Sequence, residues 1–277
     1  MELESVIAPI IKPLYRSDRG VLYHGDCLSI LPYIKSESID TVFADPPFNL
    51  NKKYGANVND NISGIDYVDW CKKWSSECVR VLKPGGALLI YNLPKWNILI
   101  GAHLCESKMI FRHWIAINIK ACLPIPGRLY PSHYSLLYFT KGNPKTFKKI
   151  RNPIEKCRHC GKEIKDYGGH RDAMNPLGVN LTDVWNDIPP VRHRKFKGEI
   201  RKANQLSTKL LYRVIHMTTN ENDIVLDPFG GSGTTYSVCE SEKRRWIGIE
   251  LGDCSAIVDR LESADIKPHA TTDYVET

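Results

Sequence analysis

The sequence has no long hydrophobic run. Hydrophobic residues make up 42 % of the 277 positions, yet no apolar stretch approaches the roughly 20 residues that a membrane span needs. The start, "MELESVIAPI", lacks the basic residues and the long apolar segment of a secretory signal peptide. These absences predict a cytoplasmic protein without a membrane partner. The length suits one large domain with a small appendage.

The sequence also lacks paired cysteines, with one exception. Cys157 and Cys160 form a CxxC motif, but a structural zinc needs about four ligands and no second CxxC exists. His159, His170, His193 or a partner subunit could supply the missing ligands. Two hypotheses stay open: half of a zinc site, or two reduced thiols in a turn. The other cysteines stand singly in mostly apolar surroundings, which is typical of reduced thiols: Cys27, Cys71, Cys78, Cys105, Cys122, Cys239 and Cys254.

Positive charge is confined to one part of the chain. Residues 145–202 hold 15 Lys and Arg against 7 Asp and Glu, a net charge of +8, whereas the other 219 residues hold 23 against 24. Charge segregated in this way indicates a polyanionic partner, with nucleic acid as the leading candidate. The alternative is a solvated basic surface that binds nothing.

Outside that segment, predicted strands alternate with predicted helices, which is typical of a doubly wound α/β domain. The apolar runs predict seven strands, at 21–26, 39–45, 87–91, about 111–120, 133–140, 223–227 and 246–251. Helical spacing predicts helices at about 27–38, 67–82, 94–107, 205–217, 234–245 and 254–263. The basic segment lacks this alternation, so we interpret it as an insertion or a small second domain.

A glycine-rich turn, "VLDPFGGSGTT", lies between a predicted strand and a predicted helix. Glycines at such a position let the backbone approach a ligand closely. No Lys follows Gly233, which excludes a Walker loop, and Tyr236 stands where a dinucleotide motif requires its third glycine. Glu250 ends the next strand, where a carboxylate can bind both hydroxyls of a ribose. The pattern therefore favours a different nucleoside ligand over a plain tight loop.

A second strand ends in the stretch "DPPF". The residue before a proline is biased toward extended geometry, and Pro47 fixes its own φ, so the Asp45 carboxylate and the Pro46 carbonyl are held rigidly. Two adjacent acceptors suit an –NH2 group, and Phe48 offers a stacking face for the ring that carries it. These features describe a receptor for the exocyclic amine of a base, which an enzyme would have to flip out of a duplex. The alternative is a turn that only ends the strand.

Together, these motifs make the sequence resemble the S-adenosylmethionine-dependent DNA amino-methyltransferases in their circularly permuted order. The catalytic motif of that family is matched by Asp45, Pro46, Pro47 and Phe48, and its F-x-G-x-G cofactor loop by Phe229, Gly231 and Gly233. The resemblance covers nearly the whole chain apart from the basic segment. It implies a Rossmann-like methyltransferase sheet in which strands 224–227, 246–250 and the N-terminal "VLYHGD" are its first, second and third strands.

The resemblance also implies roles for single residues. The four residues of the DPPF motif would be catalytic, with Phe48 stacking on the flipped base. Cofactor-binding residues would lie at the strand ends and in the glycine loop, with the methionine part held by the loop, the ribose by Glu250 and the adenine by Asp26: Asp26, Asp227, Phe229, Gly231, Gly233, Thr234 and Glu250. No metal is required, because the cofactor carries the reactive group.

By the same resemblance, residues 1–144 are the catalytic half, residues 145–202 the target-recognition region and residues 203–277 the cofactor-binding half. Lys120, Arg128 and His133 stand near the strands that line the target pocket in this family, although ordinary surface charge explains each of them equally well. The densest basic run would contact DNA phosphates without specifying sequence: Arg192, His193, Arg194, Lys195 and Lys197.

The leading hypothesis is a site-specific DNA methyltransferase that makes N6-methyladenine in double-stranded DNA as part of a restriction-modification system. Asp at the first motif position leans toward adenine, but the same chemistry on cytosine N4 stays open. Two further alternatives are a non-catalytic DNA-binding protein on the same fold and an enzyme that acts on RNA. A homodimer and a separately encoded restriction endonuclease are the partners that this hypothesis suggests.

Overall fold

The chain is organised around one large twisted sheet with a hydrophobic cluster on each face. A computed structural model describes residues 3–50, 62–119, 126–127, 129–157, 159–163, 168–189, 205–263 and 272–276. Neighbouring residues of the central strands alternate between the two clusters, as Val42 and Phe43 do, because successive side chains of a strand point to opposite faces. Both faces of the sheet are therefore buried.

The described ranges contain these strands: β1 (Tyr15–Arg16), β2 (Gly20–His24), β3 (Ile39–Ala44), β4 (Leu82–Asn92), β5 (Ile110–Asn118), β6 (His133–Thr140), β7 (Ile150–Asn152), β8 (Val179–Asn180), β9 (Val184–Trp185), β10 (Ile224–Asp227), β11 (Arg245–Glu250) and β12 (Tyr274–Val275). The α-helices are α1 (Cys27–Ile30), α2 (Gly64–Val81), α3 (Pro94–Glu106), α4 (Thr208–Thr218), α5 (Thr234–Ser241) and α6 (Ser255–Glu262). None of the described helices combines the length and the apolar character that crossing a membrane would demand.

The large sheet has the strand order β1-β2-β11-β10-β3-β4-β6-β5-β9. Strands β2, β11, β10, β3 and β4 run parallel to their neighbours in that series, whereas β6 is antiparallel to both β4 and β5. The order confirms the doubly wound α/β class and sets β10, β11 and β2 side by side, as the resemblance implied. The seven predicted strands are all present, and β1 and β9 add two residues each at the edges. Circular permutation of the motifs stays a prediction.

Several elements differ from their predicted bounds, and two of these differences have clear local reasons. The helix predicted from Cys27 is α1 followed by a 3-10 turn at Leu31–Tyr33, because Pro32 has no N–H with which to continue the α-helical ladder. Strand β4 begins at Leu82 rather than at 87. The intervening Gly85 has φ +80°, and a Cβ there would lie 2.9 Å from the carbonyl oxygen of Asn143, so only glycine fits this turn.

Parts of the basic segment join the rest of the protein in two places. Strand β9 extends the large sheet beside β5, and β7 lies between β12 and β8 in a separate three-stranded sheet. The first of these contacts buries Trp185 in one of the two hydrophobic clusters. The domain boundaries at 145 and 202 stay a prediction.

A buried ion-pair network connects these segments with helix α4. Arg213 is fully buried and donates hydrogen bonds to Asp273 (2.7 Å) beside β12, to Asp187 (2.6 Å) beyond β9, and to Asn152 (2.9 Å) in β7. The paired guanidinium lowers the pKa of Asp187 to about 2, although partial burial opposes this shift. One side chain therefore holds three separate segments of the chain.

Candidate active site

Four carboxylates meet at one edge of the sheet. Asp227 is the last residue of β10 and Glu250 the last of β11, while Asp45 directly follows β3 and Asp26 follows β2. These four strands are neighbours and run parallel, so their carboxyl ends lie together, where ligands bind in open α/β sheets. The structure thus brings the predicted catalytic carboxylate to the same edge as the three acidic residues predicted to bind cofactor.

The glycine loop after β10 is ordered by the Asp227 carboxylate. One of its oxygens accepts a hydrogen bond from the Phe229 amide (2.9 Å), and the other accepts one from the Thr235 hydroxyl (2.6 Å). Gly231 and Gly233 have φ +54° and +74°, a left-handed conformation that other residues rarely adopt. A Cβ on Gly233 would lie 2.9 Å from Ile257 Cγ2. These contacts explain why the loop needs glycine where the motif has it.

Glu250 connects this loop to the next strand. Its carboxylate accepts hydrogen bonds from the amides of Gly231 and Gly252, each at 2.6 Å. Each oxygen keeps a further lone pair that can accept from a ribose hydroxyl. The neighbouring Thr234 begins helix α5, and its hydroxyl accepts a hydrogen bond from Arg260 (2.9 Å).

The carboxylates at this edge are held in an environment that disfavours negative charge. Burial raises the pKa of Asp227 to about 7, even though Thr235 and the Phe229 amide donate hydrogen bonds to it. Asp45 keeps a limited opening to solvent, but burial and, secondarily, the nearby Asp227 raise its pKa well above the usual range. Burial also raises the pKa of Glu250. No basic side chain of the described residues offsets Asp45 or Asp227, so the site suits a cationic ligand.

The DPPF residues lie between this acidic edge and an aromatic cluster. Phe48 is buried, and its ring centroid lies 5.4 Å from that of Tyr134 and 6.0 Å from that of Tyr91. Burial raises the pKa of Tyr91 well above its usual value, and the nearby Asp45 adds to the shift. Within the described ranges, no group donates a hydrogen bond to the Asp45 carboxylate. The Asp45 carboxylate is therefore an acceptor beside aromatic rings.

Several aromatic residues of the site were not predicted. Tyr91 and Tyr134 contact each other (5.3 Å) as well as Phe48, and Trp70 and Trp74 of α2 pack against Phe229 at 5.6 and 5.2 Å. Tyr91 ends a predicted strand at the carboxyl edge, which was an available signal. The two tryptophans were assigned only to the buried face of an amphipathic helix, because helical spacing does not show what that face covers.

Of the other predicted site residues, one takes no part in these contacts and the rest lie outside the described residues. His133 is exposed at the start of β6, opposite Asn118. Lys120 and Arg128 lie outside the described residues, as does the whole predicted phosphate-binding run: Arg192, His193, Arg194, Lys195 and Lys197. Their assignment to DNA stays a prediction.

Cys157 and Cys160 lie in a tight turn at the surface. The Cys157 carbonyl accepts a hydrogen bond from the Gly161 amide (2.8 Å), and the Cys157 amide donates to the Lys162 carbonyl (2.6 Å). Hydrogen bonds from the backbone of Cys160 and His159 lower the pKa of the Cys157 thiol. The part of the chain that the structure describes contains no cluster of three metal-binding side chains. The zinc hypothesis stays a prediction, which the zinc content of the purified protein would test.

The doubly wound sheet, with four carboxylates at its carboxyl edge, is typical of α/β proteins that bind nucleoside cofactors. The family described as DNA methylase, which comprises N6 and N4 methyltransferases, matches residues 39–256. The chain belongs to this family, and the family resemblance drawn from the sequence is confirmed.

Individual relatives agree with this membership. The chain is 56 % identical over 256 residues to the type II methyltransferase M.BamHI of Bacillus amyloliquefaciens, an alignment that covers 92 % of this chain and 60 % of that relative. The chain therefore spans less than two thirds of the length of M.BamHI. The structure of PvuII DNA methyltransferase (cytosine-N4-specific) matches with a TM-score of 0.68 at 22 % identity, covering 92 % and 91 % of the two chains. A complex of M1.HpyAVI with S-adenosylmethionine matches with a TM-score of 0.55 at 21 % identity, covering 87 % and 98 %. At these identities the two structures show a shared fold.

Proposed function

We propose that this protein transfers a methyl group from S-adenosylmethionine to the exocyclic amine of a base in double-stranded DNA. The observation that supports the proposal is that Asp45 follows β3 and Asp227 ends β10, two neighbouring parallel strands, so the DPPF residues lie beside the glycine loop. A base amine bound at Asp45 would therefore lie next to a cofactor bound at that loop. Membership of the DNA methylase family and the likeness to M.BamHI support the same function.

The carboxylates at the edge of the sheet fit the proposed cofactor. S-adenosylmethionine carries a sulfonium and an ammonium group, and both would stabilise carboxylates whose pKa values burial has raised. Asp227 and the glycines would hold the methionine part, Glu250 the ribose and Asp26 the adenine. When bound, the cofactor supplies a methyl group that forms a bond to the amine nitrogen while its bond to sulfur breaks, with the electron pair leaving on sulfur and one amine proton lost to water.

Asp45 and the Pro46 carbonyl would accept hydrogen bonds from the amine, drawing the nitrogen lone pair out of conjugation with the ring. Neither acceptor receives a hydrogen bond within the described residues. Phe48 would stack on the flipped base. The cation of the cofactor would also lower the pKa of Asp45, so we expect the ionised, accepting form to be favoured after cofactor binding.

The nature of the substrate rests on further arguments. The charge of +8 in residues 145–202 supports a polyanionic partner, and the likeness to a type II methyltransferase supports a role beside a restriction endonuclease. A retained catalytic carboxylate and cofactor loop argue against a DNA-binding protein without catalysis. A homodimer and a cytoplasmic location stay predictions.

Adenine N6 is our first candidate for the target, because the first residue of the motif is Asp. Cytosine N4 is the second, since cytosine presents the same arrangement of an amine beside a ring nitrogen. Nothing in the Asp45–Phe48 stretch excludes it.

The test compares cofactor binding with methyl transfer in Asp45→Ala. We expect transfer to unmethylated duplex DNA to fall at least about a hundredfold, as the loss of one essential polar contact to a reacting group does, while the protein still binds S-adenosylmethionine. Asp259→Ala, which changes an exposed aspartate on α6, is the matched control and should retain full activity. Full activity of Asp45→Ala would overturn the assignment.

A further inference from the structure

Two carbonyl groups of the DPPF loop are held by side chains from neighbouring helices. The Tyr67 hydroxyl of α2 donates a hydrogen bond to the Pro47 carbonyl (2.7 Å), and the indole N–H of Trp96 in α3 donates to the Phe48 carbonyl (2.9 Å). Neither residue belongs to the motif or to the glycine loop. They are separated from the motif in sequence by 20 and 48 residues.

The loop needs support of this kind because it can donate few backbone hydrogen bonds. Pro46 and Pro47 have no N–H, so two consecutive residues offer nothing to a neighbouring strand or turn. Their rings restrict φ but leave the direction of each carbonyl to ψ. External donors to the carbonyls of Pro47 and Phe48 therefore restrict the torsions that the prolines do not.

The two donors are themselves held in place. Tyr67 is buried, and its hydroxyl oxygen accepts a hydrogen bond from the side-chain amide of Asn92 (2.9 Å) at the end of β4. Asn92 is fully buried, and its backbone carbonyl accepts a hydrogen bond from the Ser135 hydroxyl (3.0 Å) in β6. The rings of Tyr67 and Trp96 pack against each other with centroids 4.7 Å apart. The loop is thus connected through hydrogen bonds to the carboxyl end of β4, an interior strand of the large sheet.

We propose that Tyr67 and Trp96 are positioning residues for methyl transfer: by holding the carbonyls of Pro47 and Phe48, they keep the Asp45 carboxylate and the Pro46 carbonyl in the arrangement that binds the target amine. The proposal rests on the proposed function. Neither residue donates a hydrogen bond to the Asp45 carboxylate or to the Pro46 carbonyl within the described residues. If the proposal is right, loss of either donor should slow methyl transfer without weakening the binding of cofactor or DNA. A displacement of about 1 Å in a positioned group can cost about a hundredfold in rate.

The chain offers matched substitutions for the test. Tyr67→Phe removes the hydroxyl that donates to Pro47, and Tyr138→Phe removes a buried hydroxyl that has no hydrogen-bond partner within the described residues. Trp96→Phe removes the indole N–H that donates to the Phe48 carbonyl. Its control is Trp114→Phe, which changes a half-buried tryptophan of β5 that has no hydrogen bond or ring contact with the DPPF loop within the described residues.

The single-turnover rate constant of methyl transfer is measured for each variant, together with the dissociation constants for S-adenosylmethionine and duplex DNA and the thermal unfolding midpoint. We expect Tyr67→Phe and Trp96→Phe each to slow transfer by about tenfold or more, with both dissociation constants unchanged. The two control variants should transfer at the rate of the original protein. The fluorescence of 2-aminopurine placed at the target base should show that flipping persists in the slow variants.

Three results would overturn the inference. One is a transfer rate for Tyr67→Phe and Trp96→Phe equal to that of their controls. Another is a loss of affinity for cofactor or DNA that accounts for the whole loss of rate. The third is a variant with a lowered unfolding midpoint that regains the full rate when it is assayed well below that midpoint. Each of these last two results would indicate that Tyr67 and Trp96 have a merely structural role. Absence of transfer by the unsubstituted protein would instead refute the proposed function, so the two failures are distinguishable.

Discussion

Cofactor affinity should depend on the protonation of Asp227. The pKa of this carboxyl is raised to about 7 by burial, whereas the proposed cofactor is a cation that binds the ionised form more tightly. Between about pH 8 and about pH 6 the ionised fraction falls roughly tenfold, so the dissociation constant for S-adenosylmethionine should rise by up to about tenfold, or about 1.4 kcal/mol. The dissociation constant rises as pH falls because Asp227 must lose its proton before the cation binds beside it. Protonation of Asp45 and Glu250, whose pKa values burial also raises, would add to the loss of affinity as pH falls.

Isothermal titration calorimetry at several pH values tests this directly. Repeating the titration in buffers of different ionisation enthalpy counts the protons released on binding, and we expect about one proton released near pH 6 and close to none near pH 8. Asp227→Asn should weaken binding and flatten its pH dependence, and the proton count in the unsubstituted protein remains informative if that variant does not fold. A dissociation constant that stays constant over this range, with no proton release, would refute the reasoning.

Three more predictions concern stability. The raised pKa of Asp227 means that the folded protein binds a proton more tightly than the unfolded chain does. The cofactor-free protein should therefore lose stability as pH rises from about 5 to about 8. A thermal unfolding midpoint that rises over this range would contradict the prediction. Arg213→Met should cost about 3–5 kcal/mol in the free energy of unfolding, because it removes the buried guanidinium at 2.7 Å from Asp273 and leaves that buried carboxylate the more distant Lys209 at 3.5 Å. Urea denaturation should show the loss, and a change under about 1 kcal/mol would count against a stabilising buried pair. Gly233→Ala should destabilise by about 1–3 kcal/mol, since its φ of +74° and the nearby Ile257 side chain both oppose a Cβ; an unchanged unfolding midpoint would show that the loop relaxes.

The sheet could be predicted from the sequence because its strands are short apolar runs bounded by charged residues or glycine. The alternation of strands and helices predicts the fold class, but it does not predict which strands are neighbours. The placement of β2 beside β11, in which Gly20 pairs with Trp246, came from the family resemblance rather than from periodicity.

The site could be predicted only where motifs carry it. Asp45, Asp227 and Glu250 were recognisable as carboxylates at strand ends, and the structure places them at one edge. Tyr67 and Trp96 were not recognisable, because a hydrogen bond to a loop carbonyl leaves no trace in spacing. The raised pKa values likewise depend on burial by the whole fold, which no short motif encodes.

The most direct test of the account identifies the methylated base. Duplex DNA without prior methylation is incubated with the protein and S-adenosylmethionine labelled in its methyl group, then digested to nucleosides and separated. We predict that the label appears on an exocyclic amine, as N6-methyladenine if the motif's Asp45 indicates the base correctly, or as N4-methylcytosine if only the mechanism is right. Label on a ring carbon, or no transfer to DNA by a protein that binds both substrates, would contradict the central claim.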